Sequence, residues 1–169
     1  MNEDVLFELA DRLQNRFYGK YRGIVTDVDD STMRIKATVP AVLGTTPTGW
    51  CLPCVPYAGP QVGFFFVPSP GAAVWIEFEG GDVSYPIWTG CFWRADELPS
   101  EAAPTTRGIV TAAPHQLLFD DDGDEITVSD SNGGTMTFGS DGVKTARGTM
   151  SVDVGDGSVS VNDDALTVS

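Results

Sequence analysis

Basic residues are scarce in this sequence: ten Lys and Arg stand against 24 Asp and Glu, for a net charge of −14. Nucleic-acid binding draws its affinity from cations that neutralise phosphates, so a chain this poor in them repels a polyanion and no nucleic-acid partner is expected. Cysteine is scarce as well. Cys51, Cys54 and Cys91 form an odd set with no second CxxC pair, which argues against a disulfide framework and a four-Cys zinc site. There is no run of about 18 apolar residues, so no membrane-spanning helix is expected. The opening MNEDVLFELADR lacks the basic start and apolar centre of a signal peptide. Synthesis and assembly in the cytoplasm are therefore expected. The one histidine, His115, is flanked by Pro114 and Gln116, with no Ser or Cys in a nucleophile elbow. Triad chemistry needs a His base beside its nucleophile, so His115 reads as a strand-start residue.

Gly (19) and Pro (11) are plentiful and favour many short strands and tight turns. The densest apolar stretch is Tyr57 to Trp93, with three of the four Trp and no Lys or Arg. Ala72 to Phe78 and Ser84 to Trp93 read as buried strands around a Gly80-Gly81-Asp82 turn. Upstream, Lys20 to Val28 and Met33 to Val39 alternate on either side of Asp29-Asp30-Ser31, a hairpin signal. Trp50 to Tyr57 is a further extended run, and its Pro53 and Pro56 place it at an edge or bulge. Five strands over residues 20–93 predict a small Greek-key barrel of the OB type. Gly63-Phe64-Phe65-Phe66-Val67 is too apolar to stay uncovered. Phe64 and Phe66 are expected to face the barrel interior and Phe65 a neighbouring subunit. Before the barrel, Asn2 to Phe17 (within residues 1–19) reads as an amphipathic helix, with Leu6, Leu9, Leu13 and Phe17 at helical spacing. That stripe is expected to dock either on its own barrel or on another subunit.

Residues 94–114 are rich in Ala, Pro, Thr and Ser and read as an extended linker. From His115 to Ser169 the texture changes to short alternating runs separated by Asp, Asn, Gly and Ser turns. The charge changes too: 13 acidic and 8 basic residues up to Pro114, against 11 and 2 after it. One face carries Ile126, Val128, Met136, Phe138, Val152, Val154, Val159, Val161, Leu166 and Val168; the other carries Ser, Thr and Asp. A lone meander has nothing to cover that face, and its burial cannot offset the entropy of ordering its backbone. Disordered tails usually lack such regular alternation. Residues 115–169 are therefore expected to wrap with identical copies into an intertwined trimeric β-column, three apolar faces closing a narrow prism.

Three further motifs are weighed for chemistry. Cys51-Leu-Pro-Cys54 has redox spacing, yet its flanks are strand-like where a redox motif opens a helix, so buried, reduced thiols are expected. Asp120-Asp121-Asp122-Gly123-Asp124-Glu125 looks like a calcium loop, but the twelfth position from Asp120 is Ser131 and not Glu, so a polar hairpin turn is expected. Glu77, Glu79 and Asp82 could suggest paired glycosidase carboxylates, but nothing in the sequence sets a cleft between them. A structural role is expected, with Glu79 accepting backbone N–H groups in the turn. No catalytic residue, metal ligand or cofactor is assigned.

The series from Trp50 through Tyr57 to Gly59, Gly63 to Phe66, Gly71, Glu77 to Asp82, Pro86 and Gly90 resembles the OB-fold domain of baseplate spike proteins. These include the hub-spike of T-even phages, the VgrG spikes of type VI secretion and the short spikes of extracellular contractile injection systems. YRGIVTDVDD resembles the family's first strand, and HQLLFDDDGDEITVSDSNGGTMTFGSDGV the start of its triple-stranded β-helix. The resemblance spans roughly Tyr18 to Val143. It implies an all-β homotrimeric needle: a short helix, the barrel, then the trimeric β-helix. Such a needle is driven through a target envelope by sheath contraction and capped by a small PAAR-like tip protein or cargo. No lysozyme domain stands between barrel and column, and a short helix stands where VgrG proteins have a hub domain. A separate hub protein is therefore the implied partner, docking on Leu6, Leu9, Leu13 and Phe17. The subunit interface is expected at Phe64, Phe65, Phe66, Trp75 and the apolar face of the column. The alternative is an OB module that binds an oligosaccharide or single-stranded nucleic acid and trails a disordered acidic tail.

Overall fold

The computed structural model describes Leu6, Ala10, residues 15–162 and residues 165–168. The chain forms two units, residues 1–97 and 98–169.

In the first unit, β1 (Tyr21–Asp29) and β2 (Arg34–Thr38) make the expected hairpin, with Val28 opposite Ile35 and Val25 opposite Ala37. A carboxylate ties its turn. Asp29 Oδ1 accepts the Ser31 N–H at 2.9 Å and the Ser31 hydroxyl at 2.7 Å, and Oδ2 accepts the Thr32 hydroxyl. Pro40 then starts a one-turn helix, α1 (Pro40–Leu43). After it come β3 (Leu52–Pro53), β4 (Ala58–Gly59), β5 (Val62–Gly63), β6 (Ala73–Phe78) and β7 (Pro86–Cys91). The main sheet runs β2-β1-β6-β7-β3, antiparallel except for the parallel β3–β7 pair. Its two edges approach each other through the segment before β3. There Thr48 N–H donates to Ala37 O at 2.9 Å and Cys51 N–H to Ile35 O at 2.7 Å. This is an all-β, OB-like half-barrel. The Trp50–Tyr57 run supplies only the two-residue β3 at the sheet edge, because Pro53 and Pro56 have no N–H to extend the ladder.

Alternation sends Val25 from β1, Ile35 and Ala37 from β2, and Val74, Ile76 and Phe78 from β6 into one core with Val39, Cys51 and Trp88. Thr48 is the buried polar member, and its hydroxyl oxygen accepts the Ala37 N–H at 3.1 Å.

The chain entering β1 docks on the β6–β7 turn. Phe17 N–H donates to Gly81 O at 2.8 Å, Arg16 pairs with Asp82 at 3.2 Å, and the Phe17 ring lies edge-on to Tyr21 and Phe78. Gly81 is buried at φ +76°, and a Cβ there would sit 3.0 Å from Phe17 N, so this position requires glycine. Phe17 thus packs, partly buried, on its own barrel, one of the two dockings expected for the stripe, and its ring joins the Tyr21–Phe78 cluster. Of the rest of that stripe, Leu6 is helical and exposed, while Leu9 and Leu13 lie outside the described residues.

The second unit is an eight-stranded antiparallel meander in sequence order: β8 (Thr106–Val110), β9 (Gln116–Asp120), β10 (Glu125–Ser129), β11 (Gly134–Gly139), β12 (Gly142–Arg147), β13 (Met150–Val154), β14 (Val159–Val161) and β15 (Leu166–Val168). Residues 94–114 are therefore not all linker, since β8 lies inside them. Its alternation is weak because Gly108 interrupts it. Pairing with β9 makes the strand, and Leu118 crosses directly over Gly108, where a Cβ would meet Leu118 Cδ2 at 2.5 Å. No described residue of this unit is buried.

The turn carboxylate generates a pH prediction. Hydrogen bonds from Thr32 and Ser31 hold the Asp29 pKa down at about 2. A depressed carboxylate contributes stability that is full above its unfolded pKa and is lost as pH falls through the folded value. Carboxyl NMR should show Asp29 titrating near that value. Asp29→Ala should remove the part of the acid dependence that lies between the ordinary carboxylate range and the low folded value, as followed by acid unfolding.

Candidate functional site: two uncovered apolar surfaces

The first surface belongs to the barrel unit. Residues 37–76 contain no charged side chain. In their middle, β4 and β5 form a separate two-stranded ribbon, Ala58 opposite Gly63 and Gly59 opposite Val62. Gln61 takes φ +61° to close its tip. Val55 before the ribbon and Val67 after it both pack on the core, so the segment between them is pinned at its two ends. Phe64 N–H donates to Tyr57 O at 2.9 Å. The Phe64 and Phe66 rings stack on each other, centroids 4.8 Å apart, and not on the barrel interior. Phe64 and Phe66 are half exposed and Phe65 is 77% exposed. This corrects the expected inward placement of Phe64 and Phe66. The run leaves the ladder after Gly63, so strand alternation no longer decides which side it faces.

Trp75 sits on the outer face of β6, partly buried. Its ring lies 4.8 Å from Phe92, and the Arg22 guanidinium stands 5.7 Å from both rings. Lys36 lies 4.6 Å over Trp50 in the same way. Two of the few cations are thereby committed to aromatic faces.

The second surface is the meander's apolar face. Residues paired directly across strands share a face. One row runs Arg107, Phe119, Ile126, Phe138, Val143, Val154, Val159, Val168. The adjacent row runs Ile109, Leu117, Val128, Met136, Thr145, Val152, Val161, Leu166. The register thus gathers every apolar column residue expected from the sequence into a strip two side chains wide. With strands about 4.8 Å apart the strip is about 34 Å long. Its bulk falls along the chain, from Phe, Leu and Met to Val. Sequence reading missed Arg107, Ile109, Leu117, Phe119 and Val143 as members. The signal was there in HQLLF, but two adjacent Leu hide which one faces the strip until the pairing is known.

The motifs weighed for chemistry resolve into structural parts. Cys51 is buried beside the Thr48 hydroxyl, 3.2 Å away, and burial pushes its thiol pKa up, the wrong direction for a nucleophile. Cys54 is exposed and not buried as expected, because it falls where β3 runs out; Cys91, at the end of β7, is exposed as well. His115 accepts the Ser131 N–H on Nδ1 at 3.3 Å, joining two turns. Asp120 Oδ1 accepts the Asp122 N–H at 3.1 Å, a hairpin turn, while Asp121 pairs with Arg107. Glu77 pairs with Lys20 at 2.9 Å. The carboxylate that caps the β6–β7 turn is Asp82 and not Glu79. It accepts the Ser84 N–H at 3.0 Å, which together with the nearby Arg16 lowers its pKa. Among the described residues no group of three His, Cys, Asp or Glu is placed to hold a metal.

Exposure separates two kinds of Phe. Phe65→Ser should cost the barrel far less than a core substitution does, because its ring touches no core residue of its own chain. Phe78→Ala, in the core, should cost ~3–5 kcal/mol. Denaturant titration of the full chain followed by Trp fluorescence checks both.

Residues 21–93 match the family model of the type VI secretion system/phage-baseplate injector OB domain. The match covers the half-barrel from the first residue of β1 to two residues past β7, and it ends before the second unit. No curated protein matches the chain.

Proposed function

We propose that this protein is a structural, non-enzymatic, homotrimeric spike at the baseplate of a contractile injection system or phage tail, driven through a target envelope when the sheath contracts. The match of residues 21–93 supports a baseplate role at the level of the OB domain. The observation that carries the rest is the uncovered strip on the meander. A sheet one layer thick with one apolar face needs a partner face. The strip is too narrow for one flat pair: about 34 Å by two side chains falls short of the ~800 Å² per partner of a stable interface. Three strips facing one axis, with neighbouring edges also in contact, close a prism with no apolar side left to water.

In this reading Phe64 to Phe66 and Trp75 supply contacts between barrels: in a chain of net charge −14, Phe64 to Phe66 lie in a stretch without charged side chains and Trp75 has only the cation Arg22 against its ring. A separate hub protein holds the N-terminal segment that carries Leu6, and a small PAAR-like tip protein or cargo caps the far end. The alternative, a ligand-binding OB module with a disordered tail, has to contend with a tail folded as seven paired strands, β9 to β15.

Light scattering on the full chain should give three times the 18.0 kDa chain mass. Val128→Asp or Phe138→Asp should reduce it to one chain. A wild-type protein that is monomeric at micromolar concentration would sink the proposal, and so would an Asp variant that remains a trimer of unchanged stability.

A further inference from the structure

All but two positions of the strip are apolar. Arg107 is one, and it is drawn to Asp121 at the sheet's first strand. Thr145 is the other. It stands in mid-strand on β12, directly opposite Met136 on one side and Val152 on the other, with Val143 on the same face two residues before it. An exposed Thr would be unremarked on the meander's opposite face, which carries Thr127, Thr137, Lys144, Asp153 and Ser160. On the strip its hydroxyl interrupts the apolar rows.

Beyond Thr145 the rows become repetitive: Val154 and Val159 in one, Val152 and Val161 in the other. Valine packs against valine equally well after a slide of one hairpin, two strands or about 10 Å, so apolar contact alone specifies this half of the register weakly. A single polar position inside an apolar seam removes such degeneracy, because its hydrogen bonds form in one alignment only. We infer that Thr145 sets the register in which copies of this chain close around their common axis, an inference that rests on the trimer proposed above. At one level of a threefold column, three hydroxyls supply three donors and ample acceptors, enough to close a ring of three hydrogen bonds. A slide of one hairpin sets Thr145 against the level of Val128 or Val161 and leaves each hydroxyl buried without a partner. The occupant of the strip is thus two further copies of the same chain. Only an identical copy offers Phe at the level of Phe, Val at the level of Val and a hydroxyl at the level of Thr145.

The test uses the full chain with the two exposed thiols removed (Cys54→Ser, Cys91→Ser) and Val152→Cys added, one strand from Thr145 in the same row. Under mild oxidation, the introduced thiol should form chain-to-chain disulfides in the aligned trimer. Thr145→Ser, which keeps the hydroxyl, should leave the rate unchanged. Thr145→Val should keep the trimer mass and lower the rate by up to about threefold, because without the hydroxyl penalty the aligned register competes with its two one-hairpin slides on equal terms and holds about a third of the population. Equal rates with Thr, Ser and Val at 145 in a confirmed trimer overturn the register role and leave the trimer standing. A parent of monomeric mass overturns the trimer reading itself. As a second measurement, Thr145→Glu should dissociate the assembly. Thr137→Glu, on the other face opposite Lys144, should not. A stable Thr145→Glu trimer overturns the inference.

Discussion

A β-sheet one layer thick satisfies its backbone hydrogen bonds and still buries almost nothing. That constraint governs the second unit of this protein. Its eight strands pair in unbroken antiparallel register, and no described residue of the unit is buried. Cross-strand pairing does more than hold the strands together. It aligns residues that lie far apart in the sequence, from Ile109 to Leu166, into one continuous apolar strip. A strip that narrow matches neither a core of its own nor a broad flat interface. Covering it from several sides at once is what the three-chain column would achieve.

The barrel unit meets the same requirement internally. By curling, its five-stranded sheet brings β1, β2 and β6 around Ile35, Val74 and Ile76 and needs no second layer. Segments outside the ladder then carry the surplus apolar surface. The ribbon and the Phe64 to Phe66 run are held by Val55 and Val67, yet their rings face out. Charge follows the same division. Carboxylates are tied into turns at Asp29, Asp82 and Asp130, where backbone or hydroxyl groups donate to them, stabilise the charged form and hold their pKa values low. The ribbon and the Phe64 to Phe66 run carry no charged side chain.

Much of this is readable from residue order. The β1–β2 hairpin, β6, β7 and the alternating face of the tail follow from a period of two, which a strand imposes wherever one side is dry. The chemistry-like motifs also read as structural from their flanks, although Asp82 and not Glu79 caps its turn. Three features are less legible. β8 is hidden because Gly108 breaks the pattern, and only its neighbour β9 makes it a strand. Phe17 sits in a helical spacing that says nothing about which aromatic cluster will claim it. An inward placement of Phe64 and Phe66 assumes a strand that in fact ends at Gly63.

The local pattern therefore determined which residues alternate, where the turns fall and that one face of the tail is apolar, because these depend on side-chain period, a local property. Tertiary structure decided which strand lies beside which and, through that register, which side chains share a surface. Pairing partners are a non-local property, carried by backbone groups that are the same in every residue. That is why Thr145 reads as an ordinary polar residue in the sequence and stands out only once Met136 and Val152 are found on either side of it.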